Sequence, residues 1–154
     1  MLSLQKEIFM SGTIISKQQI QQDNYSLVSR FMEIMGTEEW FDMLHDDIIL
    51  HFPNAPLMGG QEILAGKDEV VPYLKDILKQ TDHLKYYNVE TWPTQDPNIF
   101  FNEYHATLRT RTGKHFQHTY INQIMIKEGK ISFAREYWDP KRRIADSMDF
   151  VLFR

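Results

Sequence analysis

Apolar residues recur at helical spacing from Ser16 to Met35, at Ile20, Leu27, Val28, Phe31, Ile34 and Met35, with Gln and Asp between them. That spacing predicts an amphipathic helix, which Gly36 is placed to end. Thr37 is positioned to cap a second short helix through Trp40, Phe41 and Leu44. Glu38 and Glu39 fall in its first turn, where negative charge is favoured. The run Asp46 to Phe52 reads as a short strand stopped by Pro53. Residues 53–66 hold Pro53, Asn54, Pro56, Gly59, Gly60 and Gly66, and predict a loop with turns. A third helix is predicted over about 67–79, with Val70, Val71, Leu74, Ile77 and Leu78 on one side. Pro72 inside it either costs a backbone hydrogen bond or marks a late start.

The period then changes. Segments 84–93, 98–111, 115–127 and 130–138 read as four strands, with turns at Gln95-Asp96-Pro97-Asn98, Thr112-Gly113 and Glu128-Gly129. Asp139-Pro140 predicts a last short helix, with Asp as cap and Pro at its first position. Two helices, a strand, a helix and an antiparallel meander predict an α+β domain with the helices on one face of a curved sheet.

Neither parity of these strands is purely apolar. Phe100, Asn102, Tyr104 and Ala106 alternate with Phe101, Glu103, His105 and Thr107. A sheet that only covered a core would alternate more cleanly. One face is therefore expected to enclose a partly polar cavity, and the other to meet a subunit or helix. Glu128 is poorly suited to a left-handed turn position, so a type I turn with Gly129 as bulge residue is expected. That register pairs Ile126 with Lys130, Tyr120 with Glu136, and His118 with Trp138. The turn at Thr112-Gly113 pairs Tyr104 with Tyr120 and Asn102 with Asn122. Asn102, Tyr104, His118, Tyr120, Asn122, Glu136 and Trp138 then share one surface. Ile121, Met125, Ile131, Phe133 and Tyr137 form an apolar set on the other, which predicts a homodimer.

Composition narrows the chemistry. The chain has 154 residues, a length for one domain, read as 16–154 behind an N-terminal extension of 1–15. With no cysteine, it has no disulfides, thiolate nucleophile or thiolate-bound metal, and it fits a reducing compartment. A net charge of −4 speaks against a phosphate-backbone grip, so no nucleic-acid partner is expected. No stretch reaches the roughly 18–20 apolar residues that span a bilayer. The N-terminus is a poor secretory signal, so no membrane partner and a cytoplasmic location are expected. Lys141-Arg142-Arg143 reads as a solvated helix face.

Carboxylate and imidazole remain as the groups for proton transfer. Glu136, enclosed by Trp138, Tyr120 and Phe side chains, would have its carboxyl pushed towards the working pH; the alternative is a structural pair with an Arg. His118 and His51 are candidate assisting groups, or else a satisfied strand histidine and a rim residue. Tyr104, Tyr120 and Asn122 are candidate donors to a ligand oxygen, or partners of one another across strands. Asn102, Phe52 and Phe100 complete the candidate ligand surface, with Trp138 placed to stack on a flat ring. His115 and His118 lie three apart on a strand, on opposite faces, and so form no metal pair. No metal and no cofactor is expected.

Glu128-Gly129-Lys130-Ile131 followed by Arg135-Glu136-Tyr137-Trp138-Asp139-Pro140 resembles the ending of PhzA/PhzB-like and SnoaL-like proteins, in the nuclear transport factor 2-like superfamily. Asp46-Asp47-Ile48-Ile49 before Phe52-Pro53-Asn54-Ala55-Pro56 resembles the front half of the same pattern, as does Asp96-Pro97-Asn98 before the strand holding Glu103. The resemblance covers about residues 17–148. It implies a cone-shaped, mostly antiparallel curved sheet wrapped around the N-terminal helices, a cystatin-like barrel with a ligand pocket between sheet and helix. It also implies an outer sheet face often used for dimerisation. Such proteins include ketosteroid isomerase, polyketide cyclases, scytalone dehydratase and non-enzymatic modules. The catalytic base of ketosteroid isomerase would fall on Phe52, after His51, and Phe carries no proton. The resemblance assigns the matching Glu of the phenazine-pathway proteins, an acid in imine-forming condensation, to Glu136. The expectation is a pocket protein doing cofactor-free acid–base chemistry on an apolar, oxygenated ring compound. The alternatives are a binding module, or a dimeric scaffold whose core is filled.

Overall fold

A computed structural model describes residues 8–10, 13–110 and 113–141. Two short antiparallel strands come first, β1 (Ile8–Met10) and β2 (Thr13–Ile15). Helix α1 (Lys17–Glu33) begins where Ser16 Oγ accepts from the Gln19 N–H at 3.1 Å, satisfying one of the donors that a helix start leaves open. It buries Val28, Phe31 and Met32, and the chain turns away through Gly36 at φ 89°. Helix α2 (Glu38–Asp42) follows. Thr37 takes its cap position, but the side chain makes no capping bond. Its acidic first turn pairs outward instead: Glu39 with Arg30 at 3.0 Å and Glu38 with Lys75 at 2.8 Å.

Strand β3 (Leu44–His51) leads through a 3-10 turn, Ala55–Met58, to β4 (Ile63–Ala65) and helix α3 (Lys67–Lys79). At the start of α3 the Glu69 carboxylate accepts from the Ala65 N–H at 2.8 Å and from Gln61 at 3.0 Å, and these bonds lower its pKa. Pro72 lies in the interior of α3, not at a late start, and it faces solvent. Its ring nitrogen gives the Asp68 carbonyl no hydrogen bond. No helix among the described residues is long and apolar enough to cross a membrane.

The strands β5 (Thr81–Pro93), β6 (Ile99–Thr110), β7 (His115–Lys127) and β8 (Lys130–Tyr137) complete a six-stranded sheet in the order β4-β3-β8-β7-β6-β5. Every pairing is antiparallel except β3 with β8. Two irregularities in β5, the second around Asn88 at φ 50°, bend the sheet over the helices. Asp139 Oδ1 accepts from the Lys141 N–H at 3.0 Å, but the rest of the last predicted helix lies outside the described residues.

The pairing of β6 with β7 matches the predicted register: Asn102 opposes Asn122 and Tyr104 opposes Tyr120. The pairing of β7 with β8 does not. Lys127 opposes Lys130, so the turn has two residues, and Glu128 takes the left-handed conformation (φ 53°) that seemed unsuitable for it. The bulge lies elsewhere: Ile126 opposes Ile131 while Met125 opposes Phe133, which leaves Ser132 as the extra residue. Its Oγ donates to the Met125 carbonyl at 3.2 Å. The short turn flips the parity of β8, and the bulge flips it back. Glu136 therefore keeps its expected surface but faces Asn122, not Tyr120, and Trp138 lies beyond the end of β8 and not opposite His118. Ile131 sits between turn and bulge. It is fully buried in the core and not on the outer face. The outer face still exposes Ile121 and Tyr137, joined by Phe101 and Trp92, each 40% exposed or more.

Candidate active site

A cavity of about 130 Å³ lies between the inner face of the sheet and the helices. Phe31 of α1, Met35 in the turn after it, Trp40 of α2, and Tyr73, Leu74 and Ile77 of α3 line one side. Tyr86, Tyr104, Tyr120, Asn122 and Glu136 present the polar part of the sheet wall. Phe52 and Trp138, just past the ends of β3 and β8, close one end with ring centres 5.7 Å apart. Asn54 Nδ2 fixes the Trp138 segment by donating to its carbonyl at 2.9 Å.

The polar wall is built from cross-strand pairs. The Tyr104 hydroxyl donates to Glu136 Oε2 across β7. Tyr104 stacks on Tyr120 at 5.3 Å and 14°, and meets Tyr86 edge-on at 5.8 Å. Burial first, and then the charge of Glu136, push the Tyr104 phenol well above its ordinary value. It is therefore a hydrogen-bond donor at neutral pH. Beside this pair, Thr91 Oγ1 donates to Asn102 Oδ1 at 2.6 Å, and Asn102 Nδ2 donates to Asn122 Oδ1 at 2.8 Å. Asn122 Nδ2 meets the Met32 thioether at 3.8 Å, a weak acceptor.

Of the residues singled out in the sequence, Glu136, Tyr104, Tyr120, Asn122, Trp138 and Phe52 line this cavity. Four do not. Asn102 lies wholly buried behind Asn122 and positions it. Phe100, also wholly buried, packs 6.3 Å from Tyr25. His118 is buried deeper along β7, its ring stacked on Phe116 at 6.1 Å. His51 points to the other side of the sheet, because Leu50 takes the inward position of β3. There His51 Nδ1 accepts from Arg135 Nε at 2.9 Å, and Nε2 lies 3.0 Å from Glu62. Neither histidine is among the described residues that line the cavity, although His118 lies on the inner face 6.1 Å from Tyr120. Tyr73 and Tyr86 went unnoticed in the sequence. Tyr73 follows Pro72, and the irregularities of β5 break the alternation that would have pointed Tyr86 inward.

No protein-family model matches the chain. An uncharacterised PhzA/B-like protein of Pseudomonas aeruginosa is 24% identical over 116 residues, which are 75% of this chain and 81% of that protein. Among solved structures, the phenazine biosynthesis-related protein PhzB2 of Pseudomonas aeruginosa superposes with a TM-score of 0.71 at 18% identity, covering 84% of this chain and 88% of that one. TerC, co-crystallised with polyporic acid, superposes with a TM-score of 0.68 at 10% identity over 80% of this chain and 97% of that one. A protein of Jannaschia described as a SnoaL-like polyketide cyclase superposes with a TM-score of 0.68 at 11% identity, covering 82% of this chain and 92% of that one. The helices packed inside a curved six-stranded sheet are thus the nuclear transport factor 2-like fold, and the chain is similar to the PhzA/PhzB-like and SnoaL-like proteins that have it.

Proposed function

We propose that this protein is a cofactor-free acid–base enzyme acting on a small, largely apolar ring compound with a carbonyl oxygen. One observation carries the reading: Glu136 is the one charged residue among the described residues lining the cavity, and its carboxylate accepts a hydrogen bond from a buried tyrosine. Tyr104 orients the carboxylate. Glu136 takes a proton from a carbon beside the ligand carbonyl, and the electron pair of that C–H bond moves onto the carbonyl oxygen. Tyr120 and Asn122 supply O–H and N–H donors on the same wall for the oxyanion. Returning the proton to another carbon gives isomerisation; attack of the carbanion on a second carbonyl gives cyclisation or condensation. The proton moves between Glu136 and the ligand without an imidazole, since His51 and His118 do not line the cavity. The zero cysteine count favours the cytoplasm as its site of action. The exposed outer face is the surface through which two copies would pair.

The reading is tested by hydrogen–deuterium exchange at the ring carbons of 2-cyclohexenone in D2O, followed by NMR. The protein should accelerate exchange, and Glu136→Gln should abolish the acceleration while leaving the fold and cyclohexenone binding intact. Unchanged exchange in that variant overturns the assignment. The absence of any histidine from the described lining favours a second reading, a binding module without chemistry. Tight binding without exchange in the unmodified protein would establish it.

A further inference from the structure

The cavity is chemically one-sided. Eight aromatic residues line it, among them Phe52, Tyr73, Tyr86, Tyr104, Tyr120 and Trp138. These six form two contiguous sets. Phe52 lies 5.7 Å from Trp138 and 6.1 Å from Tyr73, while Tyr104 lies 5.8 Å from Tyr86 and 5.3 Å from Tyr120. Glu136 is the one formally charged residue among the described lining residues, which include no Lys, Arg or His. Nearby cations are engaged elsewhere. Arg135 lies over the Phe133 ring and donates to His51. Lys75 pairs with Glu38 and lies over Phe41, and Lys67 donates to the Leu44 carbonyl.

Ring faces carry negative charge density, and in a space of low polarity they attract a cation. A carboxylate among them strengthens that preference and opposes a second anion, because little solvent screens the repulsion. We infer that the site takes a ring compound bearing a protonated amine, its ammonium beside Glu136 and its apolar body against the rings. This rests on the reading of the cavity as a ligand site and adds the charge of the ligand to it. The cavity volume, about 130 Å³, sets the size. A dry cavity of about 150 Å³ holds one benzene ring, so this space limits the ligand to a single six-membered ring carrying at most a short arm.

Three single-ring probes of similar size test the charge: benzylammonium, benzyl alcohol and benzoate, titrated by calorimetry at pH 7 with tryptophan fluorescence as second readout. Trp40 and Trp138 both line the cavity and report occupancy. Benzylammonium should bind roughly tenfold or more tightly than benzyl alcohol, with benzoate weakest. In Glu136→Gln the preference for benzylammonium over benzyl alcohol should collapse. In Tyr73→Leu, which removes one ring and no charge, benzylammonium should weaken several-fold more than benzyl alcohol. Equal or better binding of the alcohol or benzoate to the unmodified protein overturns the charge inference and leaves the ligand-site reading standing. Failure of all three probes at millimolar concentration overturns both. The three-probe series needs no variant, so it decides even if a substitution fails to fold.

Discussion

At the scale of single residues, the proposed proton transfer centres on the Tyr104–Glu136 pair. The folded protein holds the Tyr104 proton to a pH where the unfolded chain has released it, because burial and then the Glu136 charge raise the phenol above its ordinary 10.0. Its stabilising contribution is therefore complete below pH 10 and is lost as pH rises towards the folded value. Stability should fall by about 1.4 kcal/mol per pH unit above pH 10 from this one proton. Urea midpoints for Tyr104→Phe should show a shallower alkaline decline; an unchanged decline would reject the pair as its source. Asn102→Ala makes a different point. It strips a buried partner from both Thr91 and Asn122, and should cost about 1–3 kcal/mol in urea unfolding. Residue identity made these groups visible in the sequence. Their roles were less so: Asn102 reads as a ligand contact but is a support, and His51 reads as a pocket residue but is held on the far side of the sheet by Glu62 and Arg135.

At the scale of elements, local rules set the helices and strands well and the joins less well. Helix α3 has its predicted bounds because its apolar stripe outweighs one misplaced Pro. Pro72→Ala restores a hydrogen bond on an exposed helix face, where a Pro costs about 3 kcal/mol, offset by about 0.4–1 kcal/mol of added freedom in the unfolded chain. A net gain of about 2 kcal/mol should appear in urea midpoints. The β7–β8 hairpin shows the limit of turn chemistry. Glu128 accepts a left-handed backbone, and its carboxylate lies 3.2 Å from His45. That strain costs about 1–2 kcal/mol, and the part-buried contact, made by a largely exposed carboxylate, returns about 0.2–1 kcal/mol. Glu128→Gly should therefore raise the melting temperature by a few degrees. A lowered value would show that the His45 contact outweighs the strain.

At the scale of the whole molecule, the two faces of the sheet divide the work. The inner face, curved by the irregularities in β5, leaves a cavity because the helices do not fill it. The outer face carries Trp92, Phe101, Ile121 and Tyr137, all substantially exposed. An apolar surface of this kind marks an interaction site. Sedimentation at micromolar concentration should give a dimer. Ile121→Glu should shift it to monomer by placing a charge on that surface, while binding in the cavity persists. A monomer in the unmodified protein would remove the outer face as a pairing surface.

The strands β1, β2 and β4 fall in segments that read as an extension and a loop, but the sequence by itself determined the order of the three helices and the longer strands, the α+β class and the register of β6 against β7. Those follow from hydrophobic period and turn residues, which act over a few positions. It also supplied Glu136, through a segment that resembles the ending of PhzA/PhzB-like and SnoaL-like proteins. Only the tertiary structure decided the bulge at Ser132, the burial of Ile131, the displacement of both histidines from the cavity and the arrival of Tyr73 and Tyr86 in it. A bulge is set by which residues across two strands pack best together, and a cavity by what several distant elements fail to fill. Neither quantity is written in the spacing of neighbouring residues.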